Sequence, residues 1–135
     1  MKQAMLMQNR TFINTNTTWE NLAGYARAVR VGNQIWVSGT TATDANGNCV
    51  GKNDPALQMQ FILQKIEGAL VQLGGDLRGV VRTRVYVLHL KDWEAVARVH
   101  GQVFGEIRPA NTLVQAALVG DEYLVEVEVD AIVFD

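Results

Sequence analysis

The 135-residue sequence has few of the residues that cross-link a small fold or bind a metal. Its single cysteine, Cys49, excludes an internal disulfide and a zinc site built from cysteines. Its two histidines, His89 and His100, are far apart in the chain and neither has a second His or Cys beside it. We therefore expect no metal site, and a fold that is stabilised by its hydrophobic core.

The sequence also lacks a strong excess of charge and a long apolar run. Twelve basic and fourteen acidic residues give a net charge of −2, which disfavours nucleic acid and an anionic membrane surface as partners. No stretch approaches the roughly 18 apolar residues of a membrane span. Residues 1–8 contain one positive charge and no apolar segment long enough for a signal peptide. We expect a cytoplasmic protein with no nucleic-acid or membrane partner.

Strand-like and helix-like segments follow one another along the chain. Short strands are predicted for residues 10–14, 26–31 and 34–38, with a type II′ turn at Gly32-Asn33 joining the second to the third. Further strands are predicted for residues 80–88, 112–118 and 124–134, because these segments are rich in β-branched residues or alternate between apolar and polar.

Two helices are predicted between these strands. The first begins at the cap Asp54-Pro55 and carries apolar residues at the 3.6-residue period until Gly74-Gly75 ends it. On this helix we expect Lys65 to face away from the core and Gly68 to mark a close approach of the backbone to the sheet. The second helix follows Asp92 and has His100 on its apolar face, where a hydrogen-bonded core histidine is favoured over a catalytic one.

The resulting order, β-β-β-α-β-α-β-β, predicts one α+β domain over residues 1–135, in which residues 1–19 form a less ordered or edge-strand segment. Right-handed crossovers place both helices on one face of a mixed sheet. The other face stays uncovered, which suits a wet subunit interface or a ligand cleft.

Polar side chains on two predicted strands are the first candidates for chemistry. Glu126, Glu128 and Asp130 share one face of the last strand, and Arg82 and Arg84 alternate in the same way on another. They form either a ladder of cross-strand ion pairs or a site for acid–base catalysis.

Two further segments leave alternatives open. The hydroxyls that follow Val37, beginning with Ser38-Gly39, either satisfy the backbone or line a pocket for a small polar ligand. The loop from Gly47 to Asn53 resembles a phosphate-binding loop, but its glycine spacing is one residue short and Asn53 replaces the magnesium-binding Ser or Thr. We therefore reject a phosphate loop.

Five segments, taken in order, resemble the Rid family, which is also called the YjgF family and was formerly labelled endoribonuclease L-PSP. They are Gly24-Tyr25, Arg30 to Gly39 (RVGNQIWVSG), Arg82 to Val87 (RTRVYV), Arg108 to Thr112 (RPANT) and Val125 to Ile132 (VEVEVDAI). The resemblance implies a chorismate-mutase-like fold and a homotrimer with a small-molecule cleft between subunits. It also implies hydrolysis of an enamine or imine to a keto acid and ammonia, without metal or cofactor.

The resemblance assigns roles to individual residues. Tyr25 corresponds to a tyrosine that lines the cleft, and Ser38 and Gly39 to the Ser-Gly segment beside it. Glu128 corresponds to the glutamate that holds the attacking water, and is the expected catalytic residue. Asn111 and Thr112 follow Pro109-Ala110 and are expected to bind the substrate.

This chain departs from the family pattern at Asn111, where active deaminases have an arginine that grips the substrate carboxylate, and at Leu113, where many members have a cysteine. An amide makes only neutral hydrogen bonds, so losing the arginine costs about 1.5–3 kcal/mol of binding, unless Arg108 substitutes for it. Three hypotheses remain open: a hydrolase for a neutral or differently substituted imine or enamine, a non-catalytic trimer that binds a small metabolite, and a ribonuclease, which the net charge disfavours.

Overall fold

The computed structural model describes residues 9–15 and 17–134. Residues 1–8, for which a signal peptide was excluded, lie outside the described residues, as do residues 16 and 135. The strands are β1 (Arg10–Ile13), β2 (Ala28–Val31), β3 (Gln34–Thr40), β4 (Val80–Val87), β5 (Ala110–Gln115) and β6 (Val125–Ile132). The helices are α1 (Thr18–Ala23), α2 (Pro55–Gln72) and α3 (Trp93–Phe104), with short 3-10 turns at Leu77–Gly79 and Leu90–Asp92.

The six strands form one mixed sheet in the order β1-β2-β3-β6-β4-β5. Only β4 and β5 are parallel, and α3 provides the crossover between them. The β2–β3 connection has positive φ at Gly32 and not at Asn33, which is the pattern of a type II′ turn, and its strands pair antiparallel as expected. A register shift between Val37 and Thr40 interrupts the β3–β6 pairing close to Gly39.

One layer of helices covers one face of this sheet, as the order of elements predicted. Met59, Ile62 and Ile66 of α2 are fully buried in a cluster that includes alternate residues of the sheet, such as Val85, Val127 and Val129. The residues between these valines point to the opposite face, which α2 and α3 leave uncovered. We call this the open sheet face.

Helix α1 is not predicted by the sequence pattern of residues 18–23. The helix begins after Thr17, whose hydroxyl accepts from the Glu20 amide (3.3 Å), and ends at Gly24, which has a left-handed φ of 74°. Six residues are too few to show a 3.6-residue period, so hydrophobic patterning cannot detect such a helix.

Three smaller expectations also differ from the structure. Gly68 is exposed and no atom of the described residues lies within 4 Å of where its Cβ would be, so it does not mark a close approach to the sheet. Lys65 does not face solvent but is half-buried, with its Nζ 3.0 Å from the Thr43 carbonyl oxygen. Strand β5 begins and ends earlier than predicted, because Ala110 already pairs with Arg82.

In the described part of the chain, no helix combines the length and the apolar character needed to cross a membrane.

Candidate functional site

The open sheet face carries rows of side chains that cross several strands. Trp36 lies opposite Asp130, which in turn lies opposite Arg82. The next row contains Arg84, Glu128 on β6 and Thr112 on β5. The face is therefore apolar towards β1 and β2 and charged along β4 and β6.

The charged rows are paired only in part. Arg84 reaches Asp130 diagonally, with Nη1 3.4 Å from Oδ2, in a half-exposed ion pair of the expected ladder type. Such a pair contributes about 0.2–1 kcal/mol. Glu126 takes no part in any ion pair of the described residues, so the ladder interpretation fails for this carboxylate.

Glu128 is fixed by a neighbouring tyrosine rather than by an arginine. The Tyr86 hydroxyl donates to Glu128 Oε1 at 2.5 Å. This hydrogen bond raises the pKa of the Tyr86 phenol, because loss of the proton would bring two negative oxygens together. One oxygen of Glu128 is thereby held in place while the carboxylate stays half-buried on the open sheet face.

A cavity of about 260 Å³ lies between α1, the end of β3, α2 and the segment before β6; we call it the Tyr25 cavity. Its lining includes Trp19, Tyr25, Arg27, Gly39, Lys65 and Glu126. The volume is below the roughly 300–1,000 Å³ of sites for drug-sized ligands, so only a small metabolite fits.

A buried ion pair forms one wall of the Tyr25 cavity. Arg27 is only 4% exposed, and its Nη1 donates to the Gly39 carbonyl (2.6 Å) and to Thr40 Oγ1 (2.9 Å). Its Nε lies 3.6 Å from Glu20 Oε2. Burial acts to raise the pKa of Glu20, but hydrogen bonds from Thr15 and Thr17 and the charge of Arg27 outweigh it and lower that pKa.

Two other charged side chains of the cavity have shifted pKa values. Burial lowers the pKa of the Lys65 ammonium, Arg27 lowers it further, and Glu20 and Asp44 act in the opposite direction. Burial raises the pKa of the Glu126 carboxyl, Arg27 opposes this shift and Glu128 adds to it. Both groups are therefore destabilised in their charged forms by loss of water.

The expected site residues fall into separate groups. Tyr25 and Gly39 line the Tyr25 cavity, and Tyr25 also borders a shallow depression that contains Ser38. The Ser38 hydroxyl donates to the Ala26 carbonyl (2.7 Å), which is the backbone-satisfying alternative. Glu128 and Thr112 share a row on the open sheet face.

Asn111 lies on the other side of the sheet from Glu128. It pairs with Thr83, a buried residue of the helix-covered face, and its Nδ2 donates to Thr83 Oγ1 (2.9 Å). His100 Nε2 is 2.8 Å from the same hydroxyl. Within one chain the structure therefore does not bring Asn111 to the carboxylate that the resemblance pairs with it.

The remaining candidates have structural roles. His100 is half-buried and hydrogen-bonded to Thr83, which confirms a satisfied core histidine, and burial lowers its pKa. Burial raises the pKa of the Cys49 thiol, Glu122 raises it further and Lys52 acts in the opposite direction. A raised pKa keeps the thiol protonated, so these neighbours do not activate it as a nucleophile. No group of three or more His, Cys, Asp or Glu side chains in residues 9–15 and 17–134 is arranged to hold a metal ion.

Sequence reasoning missed Arg27 and Lys65 as cavity residues and left Glu126 open between a cross-strand ladder and acid–base catalysis. Lys65 could have been noticed, because it lies three residues after Ile62 and four before Ala69, at the border of the apolar stripe of α2. No local pattern marks Arg27, because its partners Glu20 and Gly39 come from other elements.

The fold and site together define a class of protein: a two-layer α+β domain with an uncovered, semi-polar sheet face and a small polar cavity beside it. A family model described as endoribonuclease L-PSP matches residues 15–133. A crystal structure of a YjgF-family protein from Mycobacterium tuberculosis shares 42% sequence identity and a TM-score of 0.83, covering 92% of this chain and 99% of that one.

Two curated relatives are similar over most of their length. An uncharacterised protein of Streptomyces coelicolor is 35% identical over 120 residues, which are 88% of this chain and 89% of the relative. The 3-aminoacrylate deaminase RutC of Acinetobacter baylyi is 33% identical over 106 residues, 78% of this chain and 84% of the relative. The chain belongs to the endoribonuclease L-PSP family, the family also called YjgF or Rid.

Proposed function

We propose that this protein is a Rid-type hydrolase that converts a small enamine or imine into a carbonyl compound and ammonia. Glu128 takes a proton from water as the water oxygen bonds to the imine carbon. Glu128 passes that proton to the nitrogen, which gives a carbinolamine. The second water proton, on the hydroxyl, moves to the nitrogen as the carbon–nitrogen bond breaks, so that a carbonyl forms and ammonia leaves. An enamine first shifts a proton from its nitrogen to its β-carbon to become the imine. Tyr25, Ser38 and Gly39 shape the cleft, and Thr112 lies in the same row as Glu128.

The placement of Glu128 carries this proposal. Tyr86 holds one carboxylate oxygen, which leaves the other free to bind a water molecule on the open sheet face. Likeness to the 3-aminoacrylate deaminase RutC supports the same class of substrate. The proposed cleft lies at a subunit boundary of a homotrimer, because the open sheet face exposes apolar residues beside the charged rows.

The proposed specificity differs from that of relatives with an arginine at position 111, since Asn111 donates to Thr83 and cannot supply a charge. The family arginine serves substrates such as 2-aminoacrylate. We expect Asn111→Arg to lower the KM for 2-aminoacrylate by about 10- to 100-fold. An unchanged KM would show that the missing charge does not set the specificity, or that Arg108 already provides it.

The test of function is ammonia release from enzymatically generated 2-aminoacrylate and 3-aminoacrylate, measured against the spontaneous rate. We expect wild type to exceed that rate and Glu128→Gln to lose about 10²- to 10⁴-fold, the usual contribution of a general base. Glu106→Gln, an exposed carboxylate beyond α3, is the matched control and should keep full activity. A Glu128→Gln variant as fast as wild type contradicts the mechanism.

The second candidate is a non-catalytic trimer that binds a small metabolite. The separation of Asn111 from Glu128 across the sheet favours it, because one chain alone then lacks a complete family-type site. This hypothesis predicts thermal stabilisation by a metabolite that is recovered unchanged after incubation. Any conversion of that metabolite by wild type decides for the hydrolase.

A further inference from the structure

A chain of three hydrogen-bonded side chains connects α3 to the edge strand β5. Asn111 Nδ2 donates to Thr83 Oγ1 (2.9 Å), and His100 Nε2 lies 2.8 Å from the same oxygen. Thr83 is fully buried on β4, His100 is half-buried on α3, and Asn111 is exposed. The chain therefore runs from a titratable ring to the protein surface, and the proposed hydrolysis uses neither His100 nor Thr83.

The single hydroxyl proton of Thr83 fixes the direction of this chain. Thr83 Oγ1 accepts from Asn111, so its own proton is available for His100 Nε2. Nε2 must then be the unprotonated nitrogen of a neutral ring, and the ring proton lies on Nδ1. Among the described residues Thr83 Oγ1 has no third hydrogen-bonding partner, so no other acceptor competes for its proton.

Protonation of His100 reverses the direction. Both nitrogens of an imidazolium ring are donors, so Nε2 then donates to Thr83 Oγ1. The Thr83 proton turns to its remaining neighbour, Asn111, whose amide rotates by half a turn to offer Oδ1 in place of Nδ2. Without this rotation a fully buried hydroxyl proton would have no acceptor, which is unfavourable.

The surroundings of His100 keep its ring neutral at pH 7. Burial lowers the pKa of His100, and Phe104 packs against the ring with 4.7 Å between centroids. Strand β5 carries no charged residue. The charged side chains of the other neighbouring elements are exposed or half-exposed, bonded elsewhere or on the opposite sheet face: Glu94 and Arg98 (paired at 3.6 Å) on α3, Glu106 and Arg108 after it, Lys65 and Glu67 on α2, Lys91 and Asp92 in the preceding turn, and Arg82 and Arg84 on β4.

We infer that His100 and Thr83 form a relay that sets which hydrogen-bonding groups Asn111 presents at the sheet edge. With His100 neutral, Asn111 uses one N–H on Thr83 and leaves its carbonyl oxygen and one N–H free. With His100 protonated, Asn111 accepts from Thr83 and leaves both N–H groups free. Position 111 therefore binds a group that both donates and accepts, such as a primary amide, at neutral pH, and favours a carboxylate once His100 is protonated.

Other hydrogen-bonded chains of the described residues lack such a switch. Thr41, Thr43 and Tyr123 are joined through their hydroxyls at 2.9 and 2.7 Å, and Tyr86 donates to Glu128. None of these side chains is an imidazole, the group whose ordinary pKa places its charge change between about pH 5 and 8.

Nitrogen-15 NMR of the folded protein tests the relay without a ligand. The imidazole signals report the tautomer and charge of His100, and the side-chain amide signals report the hydrogen bonds of Asn111. Both are followed in a titration from about pH 8 to about pH 4, which spans the ordinary imidazole value of about 6.5. We expect the Nδ1–H tautomer at the alkaline end, and Asn111 signals that shift with the same midpoint as His100, below about 6.5.

The variants isolate the hydroxyl. Thr83→Val removes it at similar shape, so the Asn111 signals should lose the shared midpoint while His100 still titrates. Thr83→Ser keeps the hydroxyl and should keep the shared midpoint, and His89→Gln, which removes the exposed histidine, should behave as wild type. An Nε2–H tautomer at the alkaline end, wild-type Asn111 signals that do not follow His100, or an unchanged response in Thr83→Val overturns the inference.

Contact of Asn111 with a substrate rests on the proposed function, whereas the relay does not depend on turnover. For the hydrolase, the ratio of the KM for 3-aminoacrylate to the KM for its amide should fall about 2- to 10-fold as the pH drops below the His100 midpoint. The ratio should fall less in Thr83→Val, where only the charge of His100 remains. A constant ratio in wild type overturns the recognition by Asn111.

The two proposals fail in different ways. If the Asn111 signals follow His100 but neither compound is hydrolysed, the relay stands and the hydrolase is wrong. If both compounds are hydrolysed but the Asn111 signals do not follow His100, the function stands and the relay is wrong.

Discussion

At the residue scale, Gly39 allows the Glu126 carboxyl to lie directly against β3. A Cβ at this position would be 2.1 Å from Glu126 Oε2, which is the far end of a flexible side chain. We therefore expect Gly39→Ala to displace the carboxyl with little loss of stability. The free energy of unfolding in chemical denaturation should stay close to the wild-type value, because the carboxyl can rotate away.

Gly79→Ala is the matched control for Gly39→Ala. A Cβ there would be 2.1 Å from the Ile132 carbonyl oxygen, and this backbone atom cannot rotate away. Chemical denaturation should therefore show a loss of about 1–3 kcal/mol in the free energy of unfolding for Gly79→Ala. A Gly39→Ala protein that is destabilised as much as Gly79→Ala would contradict the position given to Glu126.

Glu20 makes the fold sensitive to acid. The pKa of Glu20 is lower in the folded chain than the ordinary value of about 4.3. The ionised carboxylate therefore stabilises the fold at pH values above about 4.3, and this stabilisation is lost as the pH falls through the folded pKa. Glu20→Gln should cost about 1–3 kcal/mol at neutral pH. In denaturation series from neutral pH to pH 3, the stability difference from wild type should shrink in acid; a constant difference contradicts the assignment.

Single residues of the site were predictable only where a motif surrounds them. Tyr25 and Gly39 lie within segments that resemble a known family, and both line the cavity. Arg27 and Lys65 belong to no such segment, and Glu126 lies in the VEVEVDAI segment without a role that the resemblance assigns. The environment of all three comes from contacts between elements distant in sequence. Spacing along one strand or helix cannot show which charge will be left without a partner.

At the scale of elements, patterning predicted every long strand and helix and failed for the shortest. Helix α2 has a capped start, an apolar period and a glycine end, and all three agree. Helix α1 depends on Thr17 and Gly24 at its ends and on the buried Glu20 between them, which propensity alone would not place inside a fold. The expected close contact at Gly68 was wrong because that residue is on the solvent side of α2.

The solvent position of Gly68 leads to a stability prediction. Glycine in a helix interior is less favourable than alanine by about 0.5–1 kcal/mol, and an added methyl group would meet no atom of residues 9–15 and 17–134 within 4 Å. Gly68→Ala should raise the free energy of unfolding by that amount in urea titration. No gain, or a loss, would show that α2 has a neighbour on this side in the assembled protein.

At the scale of the whole molecule, the open sheet face requires a covering. Phe12, Val29 and Trp36 form one cross-strand row, and Trp36 is 43% exposed in the single chain. Contiguous exposed apolar side chains mark an interface, and in the homotrimer proposed above three copies would share it.

Light scattering tests this assembly. Wild type should have the mass of a trimer, and Trp36→Gln should shift it towards the monomer while its circular dichroism is retained. Trp93→Gln is the matched control, because Trp93 is similarly exposed (50%) but begins α3 on the helical side. A monomeric wild type contradicts the subunit-boundary cleft.

The most direct test of the account is the initial rate at which wild type releases ammonia from 3-aminoacrylate and from the amide of the same compound. We predict that wild type hydrolyses both compounds faster than they decay in buffer, because Glu128 activates water, and that the acid is no faster than the amide, because Asn111 supplies no charge to hold its carboxylate. Rates equal to spontaneous decay for both compounds would contradict it.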